Sequence, residues 1–230
     1  MTAAHPPPPA RTTPLAIAAI VSGQGRGSNL GALIEGCADG NIGCRIAVVI
    51  GTRADAPALE RARDAGVPIS VISPRKFEQD AAGYGTAILN ILHKYEIELI
   101  CLAGYMRKLP VAVVCEFAGR VMNIHPALLP FFGGKGMYGE HVHQAVLDSG
   151  MKVSGCTVHF VDEQYDTGPI ILQTTVPVEE DDTPATLGKR VLREEHRAYV
   201  RAVQLFGEDR LRIEGRNVHV IAAQELGVRA

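Results

Sequence analysis

Residues 15–36 read LAIAAIVSGQGRGSNLGALIEG, and this stretch carries the signals that decide the fold class. The uninterrupted apolar run from Leu15 to Val21 is typical of a strand that is covered on both faces of a parallel sheet. A glycine-rich turn follows, and from Asn29 to Cys37 the apolar residues recur with helical spacing. A strand, a glycine-rich turn and a helix in this order predict the first unit of an α/β fold.

The same alternation of strands and helices continues to about residue 124. Further strands are predicted at Cys44 to Ile50, Val67 to Ile72, Glu98 to Ala103 and Arg120 to Ile124. Helices are predicted at Ala56 to Ala65, Ala81 to Tyr95 and Val111 to Phe117. Continuous apolar strands separated by helices predict an open, mostly parallel, twisted sheet with helices on both faces.

The pattern changes after Met151. Two strand-like runs, Val153 to Val161 and Pro169 to Val178, are joined by the short acidic turn DEQYDTG, which favours a hairpin. A long helix is predicted from Pro184 to Phe206, and residues 210–220 are expected to add a small strand pair. The fold class is therefore α/β, with a hairpin and a long helix in the C-terminal part.

Length and composition predict one folded domain over residues 15–230. The chain has 230 residues, of which 47% are hydrophobic and 21% charged, as in ordinary globular proteins. Five of its 14 prolines lie within residues 1–14, so we expect a disordered proline-rich tail there.

Charge and cysteine usage exclude several classes of partner. The net charge of -2 supplies no positive field for nucleic acid, and no apolar stretch reaches the roughly 18 residues of a membrane span. The five cysteines are odd in number and form no CxxC pair, which indicates reduced thiols. We expect a cytoplasmic monomer or homodimer that acts on small molecules, without a nucleic-acid or membrane partner.

The turn after the first strand, Ser22 to Leu30, is a candidate phosphate site. Glycines let backbone amides approach an anion, and the start of the following helix adds unpaired N–H groups. The spacing is GxGxG rather than GxGxxG, and the lysine of a Walker loop is absent, so one phosphate of a mononucleotide-sized ligand fits best. A plain glycine-rich turn with a serine cap is the alternative.

Polar side chains that could perform chemistry lie at the end of the fifth strand and in the hairpin. Period-two alternation puts Asn123 and His125 on one side of the strand, where an amide and an imidazole could stabilise an oxyanion and move a proton. His159 and Asp166 lie in the hairpin, and a carboxylate favours a nearby imidazolium. A structural histidine and plain turn chemistry remain alternatives, because spacing alone does not bring Asp166 to His125.

Four motifs in this order resemble the phosphoribosylglycinamide formyltransferase family of folate-dependent enzymes. They are SGQGRGSN at residues 22–29, LAGYMRKLP at 102–110, NIHPALLP at 123–130 and VHFVDEQYDTGPIILQ at 158–173. The resemblance covers about Ala16 to Leu205 and implies that residues 15–230 form a single formyltransferase domain.

The resemblance also implies residue roles. Asn123, His125 and Asp166 match the family's catalytic residues. Residues for the phosphoribosylglycinamide substrate are Gly27, Ser28, Asn29 and Glu195. Residues for the folate are Met106, Arg107, Lys108 and Leu109, together with Asn123. No metal is implied, and no metal-ligand spacing such as HExxH occurs.

The activity that the resemblance implies is transfer of the formyl group from 10-formyltetrahydrofolate, as co-substrate, to the amine of phosphoribosylglycinamide in purine biosynthesis. Asn123 would donate to the formyl oxygen, and His125, held cationic by Asp166, would supply a proton to the departing folate nitrogen. The alternatives are a formyltransferase for another amine, such as an amino sugar nucleotide, and a non-catalytic binding module.

This chain departs from the family pattern at several positions. Gly25 and Arg26 are inserted relative to a shorter first loop, and Leu192 stands where some members have a polar residue. After Pro130 the longer sequence FFGGKGMYGEHVHQAV contains Lys135 and His143. Each of these two side chains could face substrate or lie in a surface loop.

Overall fold

The computed structural model describes residues 13–23, 25–40 and 42–222. The proline-rich tail predicted at residues 1–14 therefore lies outside the described residues except for Thr13 and Pro14. Gln24 of the glycine-rich turn is also outside them.

The described strands form one mixed sheet. In chain order they are β1 (Leu15–Val21), β2 (Cys44–Gly51), β3 (Ile69–Val71), β4 (Leu99–Leu102), β5 (Val121–His125), β6 (Val153–Phe160), β7 (Ile170–Pro177), β8 (Leu211–Glu214) and β9 (Asn217–Val220). Their order in the sheet is β3-β2-β1-β4-β5-β6-β7-β9-β8. Neighbours from β3 to β5 are parallel, whereas β6 is antiparallel to both β5 and β7. The predicted mostly parallel sheet and the hairpin are confirmed.

Helices cover both faces of this sheet. They are α1 (Ser28–Ala38), α2 (Pro57–Asp64), α3 (Ala81–Lys94), α4 (Val111–Glu116), α5 (Glu140–Asp148) and α6 (Pro184–Gly207), with a 3-10 turn at Pro74–Phe77. Alternate residues of β1 enter opposite cores, since Ile17 packs with α1, α2 and α6, whereas Ile20 packs with α3 and α4. This two-sided burial explains why the strand is apolar throughout.

The long helix α6 begins with a capping box. The Thr183 side chain accepts a hydrogen bond from the backbone N–H of Thr186, and the Thr186 side chain accepts one from the backbone N–H of Thr183. Pro184 occupies the first turn, where its missing N–H has no intrahelical partner to lose. One stripe of α6, including Leu187, Val191 and Tyr199, is fully buried. In the described part of the chain, no helix is both long and apolar enough to cross a membrane.

Helix α5 is the main element that the sequence pattern does not predict. Its nine residues, EHVHQAVLD, follow a glycine-rich run and bury only Val142, His143 and Val146. A short helix with so few apolar positions gives a weak periodic signal, and its contacts with α6 stabilise it in the folded protein.

We expect Tyr199→Phe to destabilise the fold. The buried Tyr199 hydroxyl lies 3.1 Å from the carbonyl oxygen of Leu102 and 3.0 Å from that of Met122, so it hydrogen-bonds β4 and β5 from α6. Its loss should lower the free energy of unfolding by about 1–2 kcal/mol, measured by urea denaturation. Tyr95→Phe, at the end of α3, is the control, and equal midpoints for both variants would contradict the role of Tyr199.

Candidate active site

The carboxyl ends of β1, β4 and β5 open into a cavity of about 810 Å³. Helices α5 and α6 and the loop between β6 and β7 form its other walls. Open α/β sheets bind ligands at this edge, because parallel strands bring their following loops together there.

The start of α1, directly after the glycine-rich turn, supplies one wall of the cavity. Gly27 has a φ of 67°, and a Cβ atom there would lie 2.7 Å from the Ala58 side chain, so glycine is required at this position. α1 begins at Ser28, and both Ser28 and Asn29 line the cavity. The predicted anion site thus combines a glycine turn with the start of a helix.

Ser22 fixes this turn to the segment that follows β4. Its hydroxyl donates to the Gly104 carbonyl oxygen at 2.9 Å and accepts from the Met106 backbone N–H at 2.8 Å. The segment predicted for folate, Met106, Arg107, Lys108 and Leu109, lines the cavity next to the turn. The two predicted binding segments are therefore neighbours.

Asn29 of α1 and Glu195 of α6 meet at the cavity wall, although 166 positions separate them in sequence. The Asn29 amide donates to a Glu195 carboxylate oxygen at 2.7 Å. Burial raises the pKa of Glu195, and the hydrogen bond from Asn29 opposes this only in part. Among the described residues the Asn29 side-chain oxygen has no hydrogen-bond partner.

The structure brings Asn123, His125 and Asp166 together. Asn123 and His125 lie in β5, and Asp166 lies in the β6–β7 loop. The His125 Nδ1 atom is 3.6 Å from a carboxylate oxygen of Asp166. The same oxygen accepts a hydrogen bond of 2.8 Å from the backbone N–H of Gly134. The sheet thus provides the proximity that sequence spacing does not.

His159, a candidate from the hairpin to which the family resemblance assigns no role, also belongs to this cluster. It pairs with Asn123 across β5 and β6, and its Nε2 atom lies 3.2 Å from the Asn123 amide nitrogen and 3.7 Å from Asp166. Its Nδ1 donates to the Phe160 carbonyl oxygen at 2.8 Å, and the Asn123 amide nitrogen donates to its Nε2. Antiparallel pairing of the two motif strands was the signal that could have revealed this contact.

The pKa of His125 is lowered rather than raised. Burial lowers it most, Asp166 and the Phe132 carbonyl raise it in part, and His159 lowers it further. Asp166 thus acts on the His125 pKa in the expected direction, but because His125 is only 3% exposed, burial outweighs the carboxylate in the net shift. Asp166 keeps a pKa below its ordinary value, since contacts with His159, His125 and Gly134 together outweigh its own burial.

Asp166 has a left-handed conformation with a φ of 56°, and several contacts hold the loop on either side of it. Asp162 accepts from the Gln164 N–H at 2.9 Å and from the Thr167 hydroxyl at 2.7 Å. Arg216 donates to the Thr167 carbonyl oxygen at 2.8 Å, from the turn between β8 and β9. Such a strained residue persists only where its surroundings fix it.

Two positions that the sequence left open now have defined surroundings. His143 is buried in α5 and lines the cavity, so the surface-loop interpretation is wrong for this residue. Lys135 is exposed, lies in the turn before α5 and also lines the cavity. Leu192 of α6 lines it as well.

Among the described residues, no group of three or more His, Cys, Asp or Glu side chains is placed to hold a metal ion.

The topology of the sheet defines an α/β protein. The amide, imidazole and carboxylate groups around a cavity at its strand ends define a binding site for small molecules. Residues 15–203 match the family described as formyl transferase, and the chain belongs to this family.

Individual relatives and solved structures indicate which members of this family the chain resembles. The chloroplastic phosphoribosylglycinamide formyltransferase of Arabidopsis thaliana is 44% identical over 189 residues, which are 82% of this chain and 65% of the relative. The trifunctional purine biosynthetic protein adenosine-3 of Homo sapiens is 41% identical over 189 residues, 82% of this chain but 18% of the relative. This chain thus spans less than two thirds of either protein.

The crystal structure of glycinamide ribonucleotide transformylase 1 from Symbiobacterium toebii superposes with a TM-score of 0.85 at 45% identity. The match covers 92% of this chain and 96% of that chain. The α/β fold with its C-terminal hairpin and long helix is therefore that of this enzyme group.

We expect Glu195→Gln to raise thermal stability at neutral pH. A raised folded pKa means that the carboxylate destabilises the fold above that pKa, and that this cost disappears as pH falls towards 4.5. Glutamine keeps an acceptor for Asn29 without the buried charge. Unfolding temperatures measured at pH 7.5 and pH 5 should show a larger gain at pH 7.5. A gain that is equal at both pH values would contradict the buried-charge explanation.

Proposed function

We propose that this protein transfers the formyl group of 10-formyltetrahydrofolate to the amine of phosphoribosylglycinamide, giving the N-formyl product and tetrahydrofolate in purine biosynthesis. The proposal rests on one observation. Asn123, His125 and Asp166 meet in a cavity that also borders the helix start after the glycine-rich turn, an arrangement that can bind phosphate. The names of the relatives support this choice of substrates.

The cavity suits two substrates that enter from different walls. The start of α1, with Gly27, Ser28 and Asn29, would hold the phosphate of the acceptor, and Glu195 would accept hydrogen bonds from its ribose hydroxyls. The segment Met106 to Leu109, with Asn123, would hold the folate. This arrangement directs the acceptor amine and the formyl group towards β5.

Formyl transfer requires an oxyanion donor and a proton carrier. Asn123 would donate to the formyl oxygen when the amine attacks, since its amide is oriented by His159. Neutral His125 would accept a proton from the attacking amine, and Asp166 and the Phe132 carbonyl would stabilise the imidazolium. Return of this proton to the folate nitrogen would complete the transfer as the carbon–nitrogen bond to folate breaks.

The proposed location is the cytoplasm. Among the described residues no two cysteines form a disulfide, and three of the five are buried, as expected in a reducing compartment. The Arabidopsis thaliana relative is named as chloroplastic, so compartments differ among the relatives of this chain.

The proposed activity is tested by following formyl transfer from 10-formyltetrahydrofolate by absorbance, with and without phosphoribosylglycinamide. We expect turnover only when the acceptor and His125 are both present, with His125→Ala as the inactive control. Folate cleavage without acceptor would indicate a hydrolase. No turnover with this acceptor, but turnover with an amino sugar nucleotide, would assign a different amine substrate.

Asp166→Asn is expected to lower kcat by roughly 10²–10⁴-fold, because the charge that stabilises the imidazolium is lost. KM for both substrates should stay within a few fold, since this charge acts mainly in the transition state. Steady-state kinetics of the variant and of Asp148→Asn, an exposed aspartate at the end of α5, provide the comparison. An unchanged kcat in Asp166→Asn would exclude the proposed role.

A further inference from the structure

His143 is a buried polar side chain to which the proposed mechanism gives no role. It is 6% exposed and lines the cavity. Its Nδ1 atom is buried and has no hydrogen-bond partner among the described residues. Buried polar atoms are nearly always paired, so this unpaired Nδ1 leaves Nε2 as the nitrogen through which the ring can make a hydrogen bond.

Helix α6 has a glycine where the His143 ring packs. A Cβ atom at Gly188 would lie 2.9 Å from Cδ2 and 3.1 Å from Nε2 of His143. Glycine inside a helix is unfavourable relative to alanine, so this position gives up helix stability while leaving space for the ring. Gly188 and His143 both line the cavity, so the ring edge that packs against Gly188 lies beside the cavity wall.

The protonation of the ring follows from these contacts. A buried N–H without an acceptor is more costly than an unpaired lone pair, so the proton of a neutral ring belongs on Nε2 rather than on Nδ1. Burial lowers the pKa of His143, with Glu140 opposing and His125 adding to this effect, which favours the neutral ring. Nε2–H is then a hydrogen-bond donor at the cavity wall.

The position of His143 favours a contact with the acceptor substrate rather than with the folate. Gly188, Leu192 and Glu195 follow one another on one face of α6, and all three line the cavity. A hydrogen bond connects Glu195 on this face to Asn29 at the start of α1, after the glycine-rich turn. Leu192 offers no hydrogen bond, so His143 supplies a donor to this wall from α5.

We propose that Nε2–H of His143 donates a hydrogen bond to a ribose or phosphate oxygen of the phosphorylated ribosylamine acceptor. The proposal rests on the proposed function and adds a substrate-binding residue to it. It also explains why α6 has a glycine at position 188 and why α5 buries a histidine against it.

The test is isothermal titration of the full chain with phosphoribosylglycinamide alone, without folate. His143→Leu should raise Kd about tenfold, which corresponds to about 1.4 kcal/mol. His143→Gln, which can place an amide N–H near the position of Nε2, should recover part of the affinity. His141→Leu is the matched control, because His141 is an exposed histidine of the same helix.

Two further measurements distinguish a role of His143 in substrate binding from a role in the stability of the fold. Gly188→Ala keeps the imidazole but displaces it, so it should raise Kd even though alanine favours the helix. The unfolding temperature of His143→Leu should stay equal or rise, because an apolar side chain replaces an unpaired nitrogen.

A wild-type Kd in His143→Leu, combined with a lower unfolding temperature, would overturn the proposal and make His143 a structural residue. Unchanged acceptor affinity with weakened binding of a folate analogue would overturn it in favour of the folate side. Failure of the wild-type protein to bind phosphoribosylglycinamide would instead contradict the proposed function, and with it the acceptor contact.

Discussion

Asn123 of β5 lies opposite His159 of β6 because the sheet changes from parallel to antiparallel at this pair of strands. The parallel part brings the strand ends and their loops to one edge, as open α/β sheets do. Because β6 is antiparallel to β5, the end of β6 lies beside the start of β5, and the β6–β7 loop that begins there brings Asp166 to His125. Without this change of direction, residues from two distant motifs would not share one cavity.

Helix α6 connects the core to the site. Its Tyr199 hydroxyl contacts the carbonyl oxygens of Leu102 and Met122, next to the strand ends that carry the site. The preceding turns of α6 place Glu195 beside Asn29 and Gly188 beside His143. One amphipathic helix therefore fixes the strand ends with one part of its surface and forms a cavity wall with another.

Several groups at this cavity are unfavourable for stability in themselves. Glu195 is a buried carboxyl with a raised pKa, His125 has a lowered one, and Asp166 has a positive φ. Each is held by contacts with other elements, such as Asn29, the Phe132 carbonyl and Gly134. Strained backbone and perturbed titratable groups are concentrated at functional sites because binding and catalysis require desolvated, positioned charges.

The amino-acid sequence by itself determined the α/β class, nearly all strand and helix positions, and Asn123, His125 and Asp166 as candidates. Apolar runs, helical periodicity and glycine turns are local signals that the chain carries in neighbouring residues. Only the tertiary structure decided that His159 joins Asn123, that α5 exists and buries His143, and that burial keeps the His125 pKa low. These features depend on residues far apart in the chain and on the exclusion of water, and both arise only when the sheet and its helices pack together.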